Sequence, residues 1–313
     1  MGWFLRRKKA GKGRGRKKPA PDAGPRWSLE RTARLVRVGA AVALIAALVG
    51  GWFFGEQALR QYLAQRYGGA ISPEQVVLAD APAWMTEPVR AELKGFVASA
   101  IEPDPLEVQS LRAVATALGR QAWVRQVEQV RRLADGGIEV RAVYRQPAAV
   151  VQGRDGYHLV DADAVRLPRL YLPHHVEQLV EQTGIAVITG IATDAPPAGE
   201  PWPGDAIAAA LTLVRLLEAE PYADEIKRYD VSGRDARGRV QLKLHTARGE
   251  VRWGLPPGQE RAIEPDAAVK KRWLGELYEA RGDIDAGGRV VHLYGATVEV
   301  SEPSPDAGAA ATR

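Results

Sequence analysis

The chain has no cysteine, which removes disulfide staples, thiolate metal sites and cysteine nucleophiles together. That absence fits either side of a membrane and assigns no compartment. Histidine is scarce, limited to His158, His174, His175, His245 and His292. The adjacent His174 and His175, with Glu177, lack the i, i+4 spacing that sets two imidazoles on one helix face around zinc, and an exposed loop is expected there. There is no G-x-S-x-G, no Walker loop and no Rossmann glycine pattern. Asp161-x-Asp163 has the spacing of a metal-dependent transferase pair. It falls, however, at an expected strand-to-strand turn, where Asp is favoured because its side chain bonds its own backbone. No catalytic, cofactor-binding or metal-ligating residue is therefore expected. Trp84, Trp123, Trp202, Trp253 and Trp273 are expected in a core or at a domain junction.

Acidic residues are nearly missing from the first 37 positions, where thirteen Lys and Arg face only Asp22 and Glu30. The remainder holds thirty basic and thirty-six acidic residues, so the basic character belongs to the N-terminal end. Long apolar runs are also absent, with one exception: Val38 to Gly55 carries no charge over eighteen residues. As a helix it reaches about 27 Å, close to the roughly 30 Å hydrocarbon core of a bilayer. A buried core helix would carry polar positions at helical spacing, and this run has none. A cleaved signal peptide would have a short basic region and a small-residue exit. Here the basic region continues to residue 37, and the exit is Trp52-Phe53-Phe54, the make-up of an interfacial aromatic belt. A retained transmembrane helix is expected over residues 36–56. Basic flanks stay on the cytoplasmic side, so residues 1–35 are expected inside and disordered, with the bulk of the chain extracytoplasmic. Beside an anchor, the basic tail suits topology and contact with anionic lipid better than nucleic acid.

Residues 57–72 read as a juxtamembrane helix ending in a hinge at Gly68-Gly69. Val76 to Leu78 reads as a strand. Thr86 is an expected cap for a helix carrying Val89, Leu93, Phe96 and Val97, and a second helix runs from about Leu106 to Leu118. Trp123 to Arg132 is open between helix and strand, because Val124, Val127 and Val130 recur every three residues. Ile138 to Arg145 alternates as a strand.

Residues 147–300 read as a β-rich domain with packed helices, and the fold class is α+β. Expected strands are Tyr157 to Val160, Val165 to Leu167, Ile185 to Ile191 and Val240 to Thr246, the last turning at Gly249 into Val251 and Trp253. Arg289 to Tyr294 is the expected final strand. One helix, capped by Asp205, buries Ile207, Leu211, Val214 and Leu217. Another, Pro265 to Ala280, turns Val269, Trp273 and Leu277 inward and leaves Lys270, Lys271 and Arg272 to solvent. Residues 301–313 are an expected flexible tail.

This layout of basic tail, single anchor, small β-α-α-β-β module and larger β-rich domain resembles the FtsQ/DivIB family of bacterial cell-division proteins. Trp123-Val124 resembles the opening of the second strand in that family's POTRA module, which favours strand for Trp123 to Arg132. Arg145-Gln146-Pro147-Ala148-Ala149 resembles its exit from the third strand, Leu159-Val160-Asp161-Ala162-Asp163 its hairpin, and Ile188-Thr189-Gly190 its strand-to-loop step. Ala164 stands where the family usually has Gly.

The resemblance implies a POTRA-like domain over 73–146 and a non-enzymatic scaffold of the division septum. Such a protein sits once across the cytoplasmic (inner) membrane, bridges early and late divisome components and helps control septal peptidoglycan synthesis. It also implies main-chain pairing between the last strand, Arg289, Val290, Val291, His292, Leu293 and Tyr294, and an FtsB/FtsL or DivIC-type coiled-coil pair. Val291→Pro would then abolish pairing at modest cost to folding. Two other readings differ in class. An anchored cell-wall enzyme would have to use Asp161, Asp163, His174 and His175, and a POTRA-type secretion component would need an export partner.

Overall fold

The computed structural model describes residues 29–67, 70–102, 108–261 and 263–302. The basic tail up to residue 28, the Gly68-Gly69 hinge and residues 303–313 lie outside them. The architecture is α+β, with six α-helices and two sheets among the described residues. The chain divides into two compact units, Met1–Leu63 and Ala64–Arg313.

The described residues of the first unit belong to one helix, α1 (Leu29–Tyr67), whose last four residues fall in the second unit. It starts earlier than expected: residues 29–35, assigned to the disordered tail, are helical. Within it Thr32–Tyr62 is the one stretch, among the described residues, long and apolar enough to cross a membrane. Its apolar side chains are exposed on every side, Leu44, Trp52 and Phe54 among them. Glu56 and Arg60 pair at 3.0 Å, four residues apart, just past the charge-free run, a contact worth about 0.2–0.5 kcal/mol to the helix.

The second unit begins with a small layer. Strands β1 (Val76–Ala79), β2 (Val124–Arg132) and β3 (Ile138–Tyr144) form a sheet in the order β1-β3-β2, with β1 parallel and β2 antiparallel to β3. The helical period in β2 is overridden by its pairing with β3, across which two register shifts break the simple alternation. Helices α2 (Glu87–Ala100) and α3 (Val108–Leu118) cover the sheet with Val89, Leu93, Val97, Val114 and Leu118. Thr86 holds the cap position of α2 without a side-chain cap bond.

Only Arg145 and Gln146 separate β3 from the large sheet. That sheet comprises β4 (Pro147–Gln152), β5 (Tyr157–Asp161), β6 (Arg166–Tyr171), β7 (Ala186–Thr189), β8 (Arg228–Arg234), β9 (Val240–His245), β10 (Glu250–Gly254), β11 (Val290–His292) and β12 (Glu299–Ser301). Their order is β12-β11-β10-β9-β8-β7-β4-β5-β6. The pairs β4–β7, β7–β8 and β10–β11 are parallel. Helix α5 (Ala206–Leu217) makes the crossover between β7 and β8, and α6 (Ala267–Arg281) the one between β10 and β11.

Strand β4 shows why its segment reads poorly as a strand. Ala149 and Val151 enter the core under α5 and α6, while Val150 enters the core shared with α2 and α3. A strand covered on both faces loses its polar alternation. Helix α5 is similarly enclosed, burying Ile207, Leu211, Leu213, Val214 and Leu217, each worth about 1.5–3 kcal/mol. Asp205 holds the cap position, its carbonyl accepting from Ala209 N at 2.9 Å, but its side chain makes no cap bond.

Helix α6 corrects the expected face by one position. Leu274 and Lys270 are the buried pair, whereas Val269, Trp273 and Leu277 are only half-buried. Lys270 is fully enclosed. Its Nζ donates to Glu264 at 2.5 Å and to the Trp253 carbonyl at 2.9 Å, and stands 5.1 Å from the Trp253 ring centroid.

Candidate partner-binding edge

A nine-stranded sheet that does not close leaves two edges, and here they are β6 and β12. Strand β6 carries Pro168 at its centre, so it lacks one ladder donor. The outer side of its first residue is taken by the loop after β7: Arg166 N donates to the Glu200 carbonyl at 3.0 Å, and Gly199 N donates to the Arg166 carbonyl at 2.7 Å. The Arg166 guanidinium also donates to the Pro196 carbonyl at 2.7 Å and to Nδ1 of the buried His158 at 3.1 Å. Since arginine only donates, Nδ1 is the acceptor and the His158 Nε2–H points to Asp155 at 2.8 Å. This edge is closed at its Arg166 end and lacks a donor at Pro168.

Strand β12 is built differently. Glu299, Val300 and Ser301 are all exposed, and β12 pairs only with β11 among the described residues. The expectation that Arg289 to Tyr294 forms the open edge is therefore corrected. Val290, Val291 and His292 lie between β10 and β12, with Val291 fully buried, and the edge is one strand further out. Val298 packs against the larger core and brings the chain back alongside β11.

Side chains of the expected segment hold β12 in place. His292 Nε2 lies 2.9 Å from Ser301 Oγ, and His292 Nδ1 lies 3.0 Å from the Tyr294 hydroxyl. Burial, aided by the nearby Arg252, lowers the His292 pKa from the ordinary imidazole value. Arg289 pairs with Glu302 at 3.2 Å, and Arg252 with Glu250 at 2.7 Å. Gly254 ends β10 at φ 93, a left-handed backbone beside Tyr294 and Glu264 where a Cβ would collide with both.

The other residues singled out from sequence are accounted for locally. Asp161 caps its own turn, accepting from Asp163 N and Val165 N at 2.9 Å each, and its second oxygen takes Arg145 at 2.7 Å. Asp163 pairs with Arg125 at 3.0 Å. His174 and His175 lie not in a loop but on the first turn of α4 (Pro173–Thr183), exposed, with their Nε2 atoms 3.0 Å apart. Residues 168–183 thus continue β6 and then form α4. Among the described residues, no group of three or more His, Asp and Glu is placed to hold a metal ion.

A groove of about 1020 Å³ is lined by Trp84, Trp123, Tyr171, Leu179, Leu211 and Val214. Its lining also carries Arg169, Arg215 and Lys227 and the carboxylates Glu181, Glu218 and Asp224, with Lys227 Nζ donating to the Asp224 backbone carbonyl at 2.7 Å. Strands β4 and β8, the buried Lys270 and the β12 edge are the features sequence reasoning missed or misplaced. The signal for β12 was a three-residue apolar alternation, Val298 and Val300, beyond the expected last strand. Compared with known proteins, the chain matches no family model and no curated protein.

Proposed function

We propose that this protein is a membrane-anchored, non-enzymatic scaffold of the bacterial division machinery, of the FtsQ/DivIB kind, and that it recruits its partner by strand addition at β12. The observation that carries this reading is the asymmetry of the large sheet. One edge is blocked by a proline and a bonded loop; the other is short, exposed and free of both. Strand addition needs an unpaired row of main-chain donors and acceptors, and β12 supplies one.

Other features support the family reading. The order β1-α2-α3-β2-β3 is that of a POTRA-like module. Ala164, where the family usually has Gly, adopts φ 60, the left-handed backbone that glycine favours. The exposed apolar surface of α1 suits lipid and not a protein core, and its basic flank favours an inside N-terminus. An anchor retained in the inner membrane raises the local concentration of partners held in the same bilayer. The partner would be an FtsB/FtsL or DivIC-type pair, at the septum.

Because the chain has no thiol, single cysteines report cleanly. In dividing cells, Ser301→Cys at the β12 edge should crosslink to another anchored division protein, and Leu170→Cys on β6 should not. Equal crosslinking from both positions, or none from residue 301, would rule the proposal out.

A further inference from the structure

Strand registers align side chains into rows that cross the sheet and stop at β12. On the face away from α5 and α6, one row runs Asp230, Lys243, Arg252, His292, Glu299 from β8 to β12. Its next position belongs to whatever pairs with β12. Glu299 is exposed and makes no ion pair or hydrogen bond among the described residues, while Glu302 nearby is already matched by Arg289. The row thus ends on a free carboxylate.

On the helix-covered face the neighbouring row runs Tyr229, Leu244, Val251, Val291, Val300. Its exposure is 5% at Tyr229, zero at Leu244, Val251 and Val291, and 41% at Val300. The apolar layer is cut off at the edge for want of one more strand. An added strand lies about 4.8 Å away, and directly opposed side chains come within about 5 Å of each other at Cβ.

We infer that β12 selects a segment with Lys or Arg opposite Glu299 and an apolar residue opposite Val300, a choice that rests on the edge-pairing reading above. The cation would complete the polar row, and the apolar side chain would close the layer over Val300. A second copy of the chain is a poor occupant. Two β12 strands side by side would bring Glu299 and Glu302 of both copies into one seam, and like charges across a strand pair repel.

The test uses the full chain in detergent micelles, immobilised and panned against displayed random nonapeptides. Enriched peptides should share a basic residue beside an apolar one, and their synthetic forms should lose binding to Val300→Pro. Against Glu299→Lys, whose tryptophan emission should match the wild type, the basic peptides should bind about fivefold more weakly, and acidic-apolar peptides should replace them in the panning. Peptides that need Val300 but keep their basic preference on Glu299→Lys would overturn the charge selection while leaving edge pairing intact. Failure to enrich any peptide dependent on residue 300 would overturn both. Self-association of the wild-type chain that Val300→Pro abolishes, seen by sedimentation, would replace the basic partner with a second copy.

Discussion

Lys270 gives the sharpest test of how the edge is supported, since it ties α6 to the end of β10 beneath the last three strands. Replacing it with Met keeps the length and apolar stem but removes the ammonium. Two groups then lose their partner. The Glu264 carboxylate, 11% exposed in its side chain, would keep only the Leu255 N–H at 2.8 Å, and the Trp253 carbonyl would lose its bond from Nζ. Breaking a buried ion pair on one side costs about 3–5 kcal/mol, and a lost bond to a buried carbonyl about 1 kcal/mol. Because Glu264 reaches the surface and keeps one donor, the lower end applies, about 4 kcal/mol in all with the carbonyl bond. Adding Glu264→Gln removes the stranded charge while its carbonyl oxygen still accepts from Leu255 N, so the double variant should recover to within about 1 kcal/mol of wild type. Urea unfolding of the full chain in detergent, followed by tryptophan emission, reads both, the single variant shifting by about 1 M. A single variant with the wild-type midpoint would refute the reasoning. So would a double variant no more stable than the single, because the loss would then lie in shape and not in the unpaired carboxylate.

Other outcomes follow from the same geometry. Val291→Pro, which sequence reasoning would choose to block an edge at little cost, should unfold the β10–β12 region, because Val291 is buried and paired on both sides; near-ultraviolet dichroism should collapse for it and persist for Val300→Pro. Burial alone would raise the Asp230 carboxyl, but bonds from His245 and Ser232 outweigh it and bring it down to about 2. Folded Asp230 therefore holds its charge below the point where the unfolded chain takes up a proton, and the stability it adds, present above pH 4, is lost as the pH falls toward 2. Between those limits the wild type should lose about 2 kcal/mol more than Asp230→Asn, measured by denaturant titration at each pH. Finally, a membrane-impermeant maleimide added to intact cells, with the outer membrane opened, should label Arg237→Cys in the exposed β8–β9 turn and not Ala10→Cys; the reverse pattern would invert the topology.

The sequence carried the parts whose periodicity is undisturbed. Val240, Leu242 and Leu244 alternate because one face of β9 meets helices and the other does not, and the hairpin into Val251 and Trp253 follows. Helix α5 was legible from Ile207, Leu211, Val214 and Leu217. Strand β4 was not, since burial on both faces erased its alternation, and β8 hid behind alternating charge in Arg228, Asp230 and Arg234. Lys270 misled for a physical reason: a lysine in a Lys-Lys-Arg run reads as solvated unless the chain supplies a carboxylate and a carbonyl at one point, and only the fold brings Glu264 and Trp253 there. At the candidate site the expected edge, Arg289 to Tyr294, lies one strand inside the edge that the sheet presents. Beyond the Val298 and Val300 alternation, three residues, Glu299 to Ser301, are too few for a period to decide between strand and loop, and their strand character comes from pairing with β11.

The most direct measurement is amide hydrogen exchange along the full chain, alone and with a coiled-coil division partner in the same micelle. Strand addition at β12 predicts slower exchange at residues 299–301 on binding, with Arg166–Tyr171 unchanged. Protection appearing at β6, or complex formation that leaves 299–301 exchanging as fast as before, would contradict it.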